Sequence, residues 1–171
     1  MKYLVAFTAL FLLAVLGVSA MPYVKVLGVT PDLVLVFAAC WTVARGQGEA
    51  LVVVPLAGVL RDLTTSDPLG TSVLALSPIV LLTATRALWI MESELVPTLL
   101  VVGAGSLGYG VLSMTVLAAT GQEMPWADGL LRVVLPAAVV NALFTPIVYL
   151  PVRWLSPQPR PGLAGTAPSS R

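Results

Sequence analysis

Apolar runs of helix-spanning length, parted by short polar breaks, constrain this chain more than any other feature. The first extends from Tyr3 to Met21, and runs of the same character recur as far as Leu155. In a soluble domain such runs need a polar exterior to cover them. Here 58% of the 171 residues are hydrophobic and only 10% are charged, against about 25% charged in an ordinary soluble domain. The chain cannot clothe itself with polar groups in water, so its solvent is lipid. In lipid every backbone polar group must be satisfied internally, and a helix does so segment by segment. The expected fold is therefore an all-α integral membrane protein.

The breaks divide the chain into six expected spans. Tyr3 to Met21 follows Lys2 and ends at Ser19-Ala20-Met21, which mimics a signal-peptide cleavage site. A signal core runs to about 7–15 apolar residues. This run is longer and suits a retained transmembrane helix. Pro22 to Thr30 is a polar break. Thr30-Pro31-Asp32 reads as a helix start, with Thr30 as N-cap, Pro31 in the first turn and Asp32 facing the positive end of the helix dipole. That second segment carries Leu33 to Ala44 and stops at Arg45-Gly46-Gln47-Gly48. It is short for a span, so it either begins near Val24 or lies against protein rather than lipid.

Glu49 opens the third segment, which runs to about Leu63. Pro55 and Gly58 predict a kink or an unwound turn within it. The fourth extends from Leu69 or Gly70 to about Met91 with Pro78 inside. The fifth, Leu95 to Thr120, carries Gly103, Gly105, Gly108 and Gly110. Small residues four apart, as at Ala104/Gly108, let another helix approach closely. The sixth spans about Leu130 to Leu155 and contains Asn141. Residues 1–155 thus form one transmembrane domain, and the Pro- and Gly-rich stretch 156–171 is expected to be a disordered cytoplasmic tail.

An even number of spans puts both termini on one side. With the termini inside, the cytoplasmic face receives Lys2, Arg45, Arg86, Arg153, Arg160 and Arg171, and the outer face receives Lys25, Arg61 and Arg132. The positive-inside rule favours that arrangement. A five-span count at the short second and third segments would overturn it.

The stretch from Gly48 to Leu82 concentrates what polar chemistry there is. Arg61, Asp62 and Asp67 sit between two apolar runs, and a charge in that setting lies at a membrane surface or is held by partners inside a bundle. Three readings stay open: a polar-ligand site, a docking point for a partner, or a helix-end cluster that satisfies backbone groups. Asp62 is expected to be partly buried and bonded to backbone amides at the start of the fourth helix, with Arg61 turned toward the headgroups. Asn141, the only asparagine, needs partners inside the bundle and reads as glue between helices or as a ligand contact. Glu49 reads as an exposed helix-start charge.

Other chemistry is poorly supplied. The chain has no histidine, which removes the usual general base and nitrogen ligand. Asp62 and Asp67 alone make a weak metal site. The sole cysteine, Cys40, lies in an apolar run and cannot form an internal disulfide. Net charge is +1, with no bulk attraction to nucleic acid. No nucleophile–base pair or phosphate-binding loop is recognisable, so an enzyme, a metal and a cofactor are all unexpected.

Taken in order, Pro31-Asp32-Leu33, the Gly46/Gly48 turn, Gly58-x-x-x-Asp62, Leu69-Gly70 followed by Leu74, and Asn141-x4-Pro146 resemble the rod shape-determining protein MreD family. The likeness covers about residues 31–82 and 138–155. Arg61 departs from it, standing where an apolar or small residue is expected. The resemblance implies a non-catalytic inner-membrane protein of the bacterial cell-elongation machinery. Its implied partner is MreC, with RodA, a penicillin-binding transpeptidase and MreB filaments reached through the complex. It also implies a six-helix bundle similar to the substrate-binding subunits of energy-coupling-factor transporters. That analogy supports an alternative, a small-molecule-binding transporter subunit, although Ala6, Ala9 and Ala14 lack the Ala-xxx-Ala spacing such subunits use to dock. Gly58, Asp62, Leu69 and Gly70 are the most family-like positions. Arg61, Asp67, Asn141 and Gly108 complete the candidate structural or partner-interface set, Gly108 as part of a small-residue face either for a foreign transmembrane helix or for packing within the bundle.

Overall fold

The structure, a computed structural model, describes residues 2–20, 23–65, 68–84 and 95–155. Its elements are α1 (Lys2–Ser19), α2 (Leu33–Arg45), α3 (Gln47–Asp62), α4 (Thr71–Ala75), α5 (Ser77–Ala84), α6 (Leu95–Ala119), α7 (Trp126–Gly129) and α8 (Leu135–Leu155). A π-helical turn, Leu130–Val134, joins α7 to α8. Among the described residues the sole β feature is an isolated bridge between Val26 and Val29. The expected 156–171 tail, Asp67 and Arg86 lie outside the described residues.

Helix α2 is the axis of the bundle. Its residues Leu33 to Thr42 are buried in unbroken succession, and it packs against α1, α3, α5, α6 and α8. Packed on every side by other helices, it needs neither a polar nor a lipid-facing stripe. This explains its length: thirteen residues rise about 20 Å, too little to cross about 30 Å of hydrocarbon. Its ends are housed in protein, not lipid. The start at Thr30 is corrected by two residues. Asp32 is the N-cap, and its Oδ1 accepts from the Leu35 amide at 3.1 Å.

The neighbouring elements follow local rules. Gly46, at φ 86°, turns α2 directly into α3, and only glycine takes that conformation without strain. Helix α3 then runs continuously through Pro55, with no unwound turn there. The expected fourth segment is instead two helices that break at Leu76. Pro78 falls in the first turn of α5, where its missing amide costs nothing. In α8, Pro136 cannot donate to the Arg132 carbonyl and its ring crowds that turn. The ladder slips by one residue, and the Leu135 amide reaches the Leu130 carbonyl.

Among the described residues two helices, Leu95–Ala119 and Trp126–Leu155, are long and apolar enough to cross a membrane, and Tyr3–Ser19, Leu33–Arg45 and Thr71–Ala84 are shorter apolar stretches. On the outer helices the large apolar side chains face outward, and the polar ones turn into a mostly apolar core. On α8, Leu143, Ile147 and Leu150 are exposed, whereas Asn141 and Thr145 are buried. On α6, Leu99, Leu100 and Val111 are exposed, whereas Thr98 and Ser106 are buried. Water would select the opposite pattern.

Candidate functional site

The C-terminal end of α3 delivers two adjacent charges to different tasks. Asp62 is 3% exposed. Its Oδ2 accepts from the Gly70 amide at 2.6 Å and its Oδ1 from the Ser72 amide at 2.9 Å. Gly70 is the N-cap position of α4 and has no capping side chain of its own. The carboxylate of α3 thus satisfies the orphan amides of α4 from outside, and its charge suits that end of a helix. Gly70 sits at φ 95°, a conformation that lets the loop double back onto Asp62. Gly58 allows the close approach: a Cβ there would lie 2.6 Å from the Val73 Cα.

Arg61 does not face the headgroups, contrary to expectation. It turns inward and forms an ion pair with Asp32. Its Nε donates to the Tyr109 hydroxyl at 2.7 Å, and its guanidinium lies 4.8 Å from the Tyr109 ring centroid. The reason is that the start of α2 places a carboxylate below the end of the bundle, beside the end of α3, and an inward arginine neutralises it. Either charge alone in that interior is far more costly than the pair.

Asn141 closes the cluster. It is 2% exposed. Its Oδ1 accepts from the Asp32 amide at 2.8 Å, and its Nδ2 donates to Ser106 Oγ at 3.0 Å. One side chain of α8 thereby holds the start of α2 and the middle of α6. The resulting network joins α2, α3, α4, α6 and α8 through Asp32, Arg61, Asp62, Tyr109, Ser106 and Asn141. Each carboxylate is engaged as an acceptor for amides or for the arginine, which positions helices.

Gly108 lies apart from this network. A Cβ there would meet the Pro78 ring at 2.8 Å, and one at Gly105 would meet Ile79 at 2.9 Å. The small-residue face of α6 is therefore filled from within by α5.

At the opposite end of the bundle a second cluster corrects the reading of Glu49. It is 7% exposed, not a surface charge. Its Oε2 accepts from Trp41 Nε1 at 3.1 Å, and Arg45 lies 3.8 Å from its Oε1. Arg45 also stacks over Trp41 and donates from Nη2 to the Leu155 carbonyl at 3.2 Å, capping the end of α8. Sequence reasoning missed this cluster, as it missed Tyr109 and Ser106. The available signal was a glutamate opening an apolar helix eight residues after a tryptophan and four after an arginine.

The shortness of α2 has a spatial consequence. Asn141 bonds its N-cap and Leu155 receives a bond from its last residue, so α8 continues well beyond the start of α2. So does α6 beyond Ser106. The space left above Asp32 is a cavity of about 660 Å³. Its floor is Asp32, Arg61, Ser106, Tyr109 and Asn141; its walls are apolar side chains of α6 and α8, and the 28–30 and 124–125 loops line its far end.

A helical membrane protein is what these features define, one whose exterior is apolar and whose buried polar groups fasten helices. More narrowly, the chain belongs to the family of the rod shape-determining protein MreD, whose family model matches residues 1–156. No curated protein and no solved structure matches it.

Proposed function

We propose that the chain is a non-catalytic, multi-pass scaffold of the bacterial inner membrane that pairs with MreC in the elongation machinery and so supports peptidoglycan synthesis and rod shape. RodA, its penicillin-binding transpeptidase and MreB filaments are reached through that complex. Family membership supplies the role in rod shape. The observation that carries the scaffold reading is the buried network itself. Its carboxylates and its arginine are bound to one another and to backbone amides across five helices. Such a bundle presents rigid apolar faces, the surface a partner's transmembrane helix packs on. The proposed kinship with energy-coupling-factor substrate-binding subunits is supported by the helical bundle with a cavity toward one end.

The test is affinity purification of the tagged full chain from native membranes in mild detergent. The expected result is stoichiometric recovery of a single-span protein with a periplasmic domain. Recovery of the chain alone, or with an ATP-driven transport module in its place, overturns the proposal.

A further inference from the structure

The cavity above α2 is built like a binding site, and its hydrogen bonds say what kind. Its volume, about 660 Å³, is within the usual range of ligand sites, about 300–1,000 Å³ with apolar walls and a few convergent polar groups. The charges around it are already matched. Arg61 pairs with Asp32, and at the rim Arg132 Nε lies 3.0 Å from Asp128 Oδ1. An ionic ligand at the floor would have to break or crowd the Asp32–Arg61 pair, and splitting such a pair in a bundle interior is strongly unfavourable.

Uncharged hydrogen-bonding capacity, by contrast, is left over. Ser113 Oγ is buried and has no hydrogen-bond partner, yet it lines the cavity. Hydroxyls in apolar helices ordinarily fold back onto a carbonyl of the preceding turn. Thr115 does so to Val111, two residues along the same helix, and Thr145 does so to Asn141. Ser106 Oγ accepts from Asn141 and keeps its own proton to donate. Asn141 uses one of its two amide N–H groups there and keeps the other. The floor and lower wall therefore offer donors to oxygen acceptors. Above them Met114, Leu117 and Val133 form an apolar sleeve.

We infer that this cavity binds an uncharged amphiphile, with its ester, amide or hydroxyl oxygens on Ser106, Ser113 and Asn141 and its apolar body along the α6–α8 sleeve. This is independent of the scaffold reading, since a scaffold can carry such a ligand and a chain without MreC can too. The apolar walls select a lipid-like body, the paired charges exclude a carboxylate or phosphate, and the spare donors require acceptor oxygens.

The test uses the full chain in phosphatidylcholine nanodiscs and a monoacylglycerol bearing a diazirine in its chain. Photolabel should map to Met114, Leu117 and Val133. Excess unlabelled monoacylglycerol should displace it, and the fatty acid of the same chain length should need at least tenfold more. Ala137→Phe, which fills the sleeve, should abolish the mapped label. Ser113→Ala should weaken labelling about threefold to tenfold and leave the melting temperature unchanged, because its oxygen bonds nothing in the protein. Label spread evenly over outward-facing residues, or the same in Ala137→Phe as in the unaltered chain, overturns the inference. So does equal competition by the fatty acid.

Discussion

Asp62 and Arg61 are neighbours in sequence and opposite in legibility. The partners of Asp62 are amides eight and ten residues on, across one loop. A carboxylate at a helix end before a glycine-bearing helix start is enough to suggest the pairing. Asp62→Ala is expected to cost about 3 kcal/mol, the loss of two charge-assisted bonds that leaves buried amides unpaired. Asp62→Asn, which keeps one carbonyl oxygen, should cost about half. Reversible unfolding of the purified chain in mixed micelles measures both, and MreC retention should fall in step with stability. Equal stability of Asp62→Ala and the unaltered chain would show that the carboxylate does not cap α4. Arg61 could not be read this way. Its partners are Asp32 on another helix and Tyr109, which is 48 residues away. Nothing near Arg61 signals either one, so its direction depends on which helices meet. Glu49 differs: its partners Trp41 and Arg45 lie only eight and four residues before it, across the Gly46 turn.

At the scale of helices, length and breaks tell different stories. Helix α6 was legible almost to the residue, because a long apolar run with no proline in its middle has one solution in lipid. Helix α2 was legible in extent but not in place. Its brevity was the clue that it sits inside the bundle, and the cavity above it is the other side of that fact. The α4–α5 break was not legible, because a proline is compatible with a kinked single helix as well as with a fresh first turn. The glycines of α6 divide by what they face. A Cβ at Gly108 would meet the Pro78 ring, which is anchored to the backbone at both ends and cannot swing away, whereas one at Gly103 would meet nothing within 4 Å. Gly108→Leu should therefore destabilise the bundle by about 1–3 kcal/mol. Gly103→Leu should be neutral or slightly stabilising, since leucine is the better helix former by roughly 0.8 kcal/mol. Thermal unfolding of the two variants side by side decides this. If Gly108→Leu instead keeps full stability and loses only MreC, the face belongs to a partner helix and not to α5.

For the whole molecule the governing fact is the apolar exterior around a core that also holds the polar groups of the outer helices. Soluble bundles spend apolar side chains on the core and polar ones on water. This chain seals Thr98, Ser106, Asn141 and Thr145 inside and leaves Leu143, Ile147 and Leu150 out. The two hydrogen-bonded clusters also assign ends. Asp32, Arg61 and the loops after α3 and α6 belong to one end of the bundle, and Arg45, Gln47 and Leu155 belong to the other. If the chain crosses the membrane as proposed, with both termini in the cytoplasm, each end has a testable side. Cys40 is fully buried, so the native thiol gives little background. Thr65 and Glu123 are exposed at the first end and Gln47 at the second. Thr65→Cys and Glu123→Cys should react with a membrane-impermeant maleimide in intact spheroplasts, and Gln47→Cys only after permeabilisation. Lys25→Cys should behave like Thr65→Cys if α1 crosses. Labelling of Gln47→Cys and Glu123→Cys from the same side would break the six-span arrangement. A reversed pattern would keep the six spans and turn the cavity toward the cytoplasm. Because the two clusters rigidly couple α2, α3, α6 and α8, those two outcomes cannot be mixed within one folded chain, so the three thiols must report a single orientation.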